Sequence, residues 1–347
     1  MRSIWIVVAL LALALLAAAV GMVLRRVIGF APVNSWDGAI AGAGHSQLAA
    51  SMYRTEARAS LTALILGVAV AGLMCMMGSG WTQGYGLPFA LAGSAGTIAG
   101  LLAFSLYPRP TWTLVESGRT VAELQPRSAT SFARQWVFAL PLASAIMLML
   151  CLVLTGVFSA TDENGLHRVF QRRSLAGWGV ENGQIIDVQY TISASGPFPG
   201  WYYGIPVIVG TILTISVVCW SLRRIASTAR PPSMDLFGAD GLLRMLKTTF
   251  VMAASSSALA FHIAGLAAVA GSVLRSSHRD PVPTADLTVA PSTIAVEPGY
   301  TLALILILAS LVVAVAAAVL LVKAITVTTS MRSIARKIAG PHAVPAR

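Results

Sequence analysis

Six long stretches of this chain contain no aspartate, glutamate, lysine or arginine: 3–24, 59–108, 135–161, 188–222, 248–274 and 298–322. Nothing else constrains its folding as strongly. A bilayer core about 30 Å thick is crossed by roughly 20 apolar residues in a helix. The second stretch is too long for one crossing and is interrupted at 78–86 by a run rich in glycine, Gly78-Ser79-Gly80 through Gly84-Tyr85-Gly86. The pattern therefore predicts seven spans, near 4–24, 60–77, 87–106, 136–158, 203–222, 250–273 and 300–322. Lipid offers no partner to a backbone N–H or C=O, so each span is expected to be a helix. A membrane β-barrel is excluded, because its strands would alternate polar and apolar residues.

The composition agrees with that fold class. Only 11% of the 347 residues are charged and 56% are hydrophobic, with a mean hydropathy of +0.76. A soluble domain is about 25% charged, and a globule this poor in charge could not cover its own surface. A soluble enzyme, a disordered chain and a disulfide scaffold are all excluded.

Basic residues between the spans set the expected orientation. With the amino terminus outside and the carboxyl terminus cytoplasmic, 18 of the 24 lysines and arginines fall in the cytoplasmic segments 25–59, 107–135, 223–249 and 323–347. The formal charge of +11 then resolves into +12 inside and −1 outside. It is the signature of insertion, and no nucleic-acid partner is expected. The run 4–24 reads as a span, since it is longer than the apolar region of a cleaved signal peptide. Trp81, Tyr107, Trp136, Trp201 and Trp220 fall at span ends, where amphipathic rings anchor. The expected location is the cell (inner) membrane, as one polytopic domain over 1–347.

Two loops outside the bilayer look β-rich. In 159–202, Ile186, Val188, Tyr190 and Ile192 alternate with Asp187, Gln189 and Thr191, a half-buried strand pattern. In 274–299 shorter pieces occur at 287–289 and 293–296. Together they are expected to form a small extracellular cap. On the cytoplasmic side, 111–116 and 119–124 flank Ser117-Gly118 as a short hairpin, and 41–58 extends the helix of the second span. The tail carries Lys323, Arg332, Arg336 and Lys337, which read as flanking charge or as contacts to anionic headgroups.

Chemistry is sparse. There is no G-x-x-x-x-G-K-[ST], no G-x-S-x-G and no H-E-x-x-H. Gly93-x-x-Gly96-x-x-x-Gly100 lies inside a span and reads as a helix-packing stripe. The seventh span lacks the lysine that a retinal protein needs. Cys75, Cys151 and Cys219, one per span, read as small packing residues rather than ligands. His262 is the one imidazole at depth. Ser255, Leu259 and His262 recur at i, i+4 and i+7, so Ser255 and His262 are the candidate substrate-binding pair. The competing reading makes both packing contacts. No catalytic residue, metal or cofactor is expected. An intramembrane enzyme acting on lipid through His262 would lack a carboxylate or metal set.

Three pieces carry a resemblance: Thr120-Val-Ala-Glu-Leu-Gln-Pro-Arg-Ser128 with Arg134 before a span; Gly196-Pro-Phe-Pro-Gly-Trp-Tyr-Tyr-Gly204-Ile-Pro206 leading into another; and Arg223-Arg224 with the basic segment to Lys247. With them the chain resembles uncharacterised multi-pass membrane proteins of actinobacteria, a group often thought to accompany ABC-transporter genes. The resemblance implies a non-enzymatic permease-like or accessory subunit whose ATPase is a separate chain. The alternative is a stand-alone sensor or envelope-organising protein with a ligand-binding cap.

Overall fold

The computed structural model describes residues 46–80, 84–109, 132, 135–229, 231, 236–284 and 292–339. The expected span 4–24, the strands at 111–116 and 119–124 and the piece 287–289 lie outside these. Among the described residues six helices are long and apolar enough to cross a membrane. They are α1 (Ser46–Gly80), α2 (Leu87–Leu106), α3 (Gln135–Val157), α4 (Trp201–Ser227), α5 (Phe237–Ser277) and α6 (Gly299–Ala339). Each contains one of the apolar runs. On α1, Ile65, Val68 and Met76 are 60%, 68% and 74% exposed. Large aliphatic side chains presented outward in this way mark a face that meets lipid or another protein. The chain is mostly helical, with helices that fit a membrane protein.

Several helices outrun their apolar cores. The extension of the second span into 41–58 is real from Ser46 onward. α6 continues 16 residues past Lys323, with Ala324, Val327, Met331, Ile334 and Ala335 buried. That 3–4 spacing is an amphipathic face, so burial carries the helix on after hydropathy alone would end it.

The described residues form two compact units. The first takes in Ile146–Val209 and Ala260–Ala316. It holds both sheets. β1 (Ala160–Thr161), β2 (His167–Glu181) and β3 (Gln184–Ser195) form an antiparallel sheet in that order. β2 and β3 turn at Asn182-Gly183, both with positive φ (52° and 75°). A two-residue turn with both centres left-handed matches strand twist, which is why Asn-Gly serves there. β4 (Arg279–Pro281) pairs with β5 (Thr293–Ala295). The two sheets share no ladder. Side chains join them: the Arg172–Asp280 ion pair, Trp178 Nε1 donating to the Thr284 carbonyl at 2.9 Å, and the Phe170 ring 5.8 Å from His278. Beneath, Phe198, Ala270, Val273, Leu274 and Ala303 make an apolar core.

The strand at 186–192 forms, but its half-burial does not. Ile186, Val188, Tyr190 and Ile192 are all exposed. β3 is an edge strand, and Asp187 (φ 50°) sits in a register shift, Gly177 pairing with Gln189 but Gly179 with Ile186. A bulge of this kind breaks the two-residue alternation that the sequence displays. Cys75 and Cys219 are likewise exposed on their helices, and only Cys151 is partly covered. The packing role expected of all three fails at the first two.

The turn into β2 is organised by Asp162. Its Oδ1 accepts from the N–H groups of Asn164 and Leu166, both at 2.9 Å, and its Oδ2 accepts from Arg168. Desolvation opposes the ionised carboxylate, yet these donors outweigh it and hold the carboxyl below the usual range. A carboxyl depressed in the fold contributes stability above its unfolded pKa of about 3.9 and loses it as pH falls through the folded value. The amide resonances of Asn164 and Leu166 are therefore expected to hold from neutrality to about pH 4 and to shift only in stronger acid. Asp162→Asn should abolish that transition. A native transition centred well above pH 4 would contradict the assignment.

The second unit comprises the described residues of Leu24–Ala145, Gly210–Leu259 and Ala317–Arg347. Its core includes Tyr53, Phe104, Leu246, Phe250 and Met331, with the Phe104 and Phe250 rings 5.2 Å apart. α1 and α2 approach through small residues: a Cβ at Gly96 would lie 2.5 Å from the Gly67 carbonyl oxygen, and one at Gly100 2.7 Å from that of Ala63. At Gly96 and Gly100 the glycine stripe is a close approach to the backbone of α1, as its spacing predicts.

Candidate functional site

The most polar interior of the second unit lies where α1 and the start of α5 meet the ends of α2 and α4. Tyr53 and Glu56 share a face of α1, three residues apart. Asp240, Arg244 and Lys247 share a face of α5 at spacings of four and three. Arg109 follows the last turn of α2. All six side chains are drawn inward, and Glu56, Asp240, Arg244 and Lys247 are each 5% exposed or less. Buried charges persist only when paired and hydrogen-bonded.

Glu56 is the hub. Its Oε1 accepts from Lys247 Nζ and from Arg109 Nε, each at 2.7 Å, and its Oε2 accepts from Arg109 Nη2 at 3.1 Å. The guanidinium thus grips the carboxylate with two nitrogens, the strong geometry for this pair. Arg109 also donates to the carbonyls of Phe104 and Ser105, both at 3.1 Å, closing the end of α2. One carboxylate therefore joins α1, α2 and α5.

A second knot lies beside it. Arg244 Nε donates to Asp240 Oδ2 at 2.8 Å. Its Nη1 donates to the Ile225 carbonyl at 2.9 Å and its Nη2 to that of Thr228 at 2.7 Å, with longer bonds to Ala226 and Ala229. The last carbonyls of a helix have no internal partner, and one buried guanidinium bonds two of them on α4, at Ile225 and Ala226, and two more just past its end. Tyr53 spans the rest, donating its hydroxyl to the Ala239 carbonyl at 2.9 Å. Ser105 and Ser221 meet at 2.7 Å between α2 and α4. Since Ser221 donates to Val217, Ser105 is the donor in that contact.

This arrangement holds helix ends in register. Each carboxylate is paired with at least one cation, and no nucleophile–base pair occurs among the described residues of the cluster. Among the described residues no three histidines, cysteines or carboxylates come together to hold a metal ion.

The sequence-derived pair is placed differently. Ser255 is fully buried, and its hydroxyl is used by its own helix, donating to the carbonyls of Val251 (2.8 Å) and Met252 (3.2 Å). Ser257 donates to the Ala317 carbonyl of α6 at 2.8 Å. His262 is half-buried, two turns further along α5, about 10 Å by helix rise. Ser255 and His262 share no hydrogen bond of their own at that separation. The ionic cluster, in contrast, has no signature inside the spans, because its charges lie outside the uncharged runs. The available signal was helical: Glu56 and Lys247 each stand one turn outside an apolar run, on the same face as the core residues that follow.

No protein-family model matches this chain, and neither a curated protein nor a solved structure shows significant similarity to it.

Proposed function

We propose that this chain is a non-enzymatic, permease-like or accessory membrane subunit of an ABC-type transport system, with the ATPase on a separate chain. In this reading 4–24 supplies a seventh span, the amino terminus is outside, and the carboxyl terminus is cytoplasmic in the cell membrane. One observation carries it: Glu56, Arg109 and Lys247 tie α1, the end of α2 and α5 together, and beside them Asp240 and Arg244 tie α5 to the end of α4. All five belong to segments that the distribution of basic residues assigns to the cytoplasm. A platform that moves as one piece is what a cytoplasmic motor subunit would need to push against. No nucleotide-binding motif in the chain itself also fits a motor on another chain. Ser255 and His262 are then interior polar positions a substrate could meet.

Purification in mild detergent after crosslinking tests this. An ABC-type ATPase is expected to co-purify in fixed ratio, and to be lost when the joint is broken by Glu56→Gln. A monodisperse chain with no ATPase would end the proposal.

A second reading is a sensor or envelope-organising protein, favoured by the two joined sheets and by the open edge of β3. It predicts a ligand or envelope protein retained in an ATPase-free preparation, and its loss on deletion of 182–183 and the flanking strand residues.

A further inference from the structure

α4 carries no charged residue from Trp201 to Leu222 and then presents Arg223 and Arg224. Roughly 20 apolar residues cross a bilayer, so these two guanidinium groups emerge at the depth of lipid phosphates. There Trp220, Arg223, Arg224, Ser227 and Thr228 line an open concavity of about 480 Å³. Both arginines are exposed, and no carboxylate among the described residues pairs with either. Arg224 lies 5.8 Å from the centroid of the Trp220 ring, a residue suited to the headgroup level.

The end of a helix ordinarily repels an anion, because its last carbonyls carry partial negative charge. Arg244 bonds the carbonyls of Ile225 and Ala226 in the last turn of α4 and those of Thr228 and Ala229 just beyond it. Its buried positive charge opposes the field of the helix end from inside the protein, while Arg223 and Arg224 are exposed. Ser227 and Thr228 donate their hydroxyl protons to the Arg224 carbonyl. Recognition therefore falls to the guanidinium groups, whose planar donors fit phosphate oxygens.

We propose that this concavity is a binding site for the phosphate of an anionic phospholipid headgroup. A zwitterionic headgroup brings its own cation against the arginine pair, so the site selects lipids of net negative charge. The inference requires only that the chain sits in a membrane and is independent of the transport reading.

Native mass spectrometry of the full chain in mild detergent tests it, with phosphatidylglycerol or phosphatidylcholine added. Phosphatidylglycerol adducts are expected to exceed phosphatidylcholine adducts. R223Q/R224Q should cut that excess roughly tenfold or more, the effect of two basic side chains at an anionic surface. R54Q/R58Q removes equal charge from exposed positions on α1 and should leave the excess in place. Should the double variant lose thermal stability, R223Q and R224Q singly carry the same expectation at severalfold each. The proposal is overturned if the arginine variants keep the excess, or if R54Q/R58Q removes it equally. It is also overturned if millimolar inorganic phosphate abolishes the adducts, since the site would then take free phosphate.

Discussion

Glu56→Gln is expected to destabilise the protein more than any other single change in the ionic joint. The carboxylate neutralises Lys247 and Arg109 together, and Lys247 is only 4% exposed. Removing one partner of a buried pair typically costs about 3–5 kcal/mol, because the other charge is left without solvent or counter-charge. Here two cations would be left. For a chain of this size that corresponds to a fall in melting temperature on the order of 10 °C. Lys247→Met should cost less, since Arg109 still pairs with Glu56. Arg109→Gln should cost least, because Arg109 reaches water at the rim, its side chain 16% exposed. In the Glu56→Gln/Lys247→Met double variant the losses should be clearly less than additive. Thermal melts of the purified variants in one detergent provide the check. A Glu56→Gln protein that melts with the parent would show that the cluster contributes no stability.

The second large effect lies at the α1–α2 contact. A methyl group at Gly96 would meet the Gly67 carbonyl oxygen at 2.5 Å and Ala71 Cβ at 2.9 Å. Backbone cannot rotate away as a side-chain tip can, so the helices must part. Overpacking a core costs about 1–3 kcal/mol when side chains can yield. A Gly96→Ala/Gly100→Ala pair should exceed that range, seen as loss of monodisperse protein or a melting point well below the parent. Gly72→Ala is the matched control: nothing lies within 4 Å of its added methyl. It should be neutral or gain up to about 1 kcal/mol from helix propensity. Equal effects at Gly96 and Gly72 would dismiss the close-contact account.

How much of this was legible depended on the range of the interaction. α2 was readable to the residue, Leu87–Leu106, because a glycine-rich turn and a following Tyr107-Pro108 bound an uncharged run. The amphipathic extensions of α5 and α6 were readable in principle, since Val327, Met331 and Ile334 keep helical spacing after hydropathy falls. Asn182-Gly183 was a local hairpin signal in plain view between two β-rich runs, and it explains why β3 has a partner as long as β2. The bulge at Asp187 was not readable, because it reflects pairing with β2 rather than any property of 184–195 alone. Least legible was the ionic joint. Glu56 and Lys247 are separated by 191 positions, and no local pattern announces which distant charge a carboxylate will meet.

That separation has a consequence for biogenesis. Ribosomes add about 5–20 residues per second, so Lys247 is synthesised some tens of seconds after Glu56. During that interval α1 carries its carboxylate with the final counter-charge not yet made. Arg109 arrives first and can hold it in a provisional two-helix hairpin. Only the emergence of α5 supplies the second cation. The joint is thus a late event in assembly, and the chain does not acquire its finished form until most of it has left the ribosome.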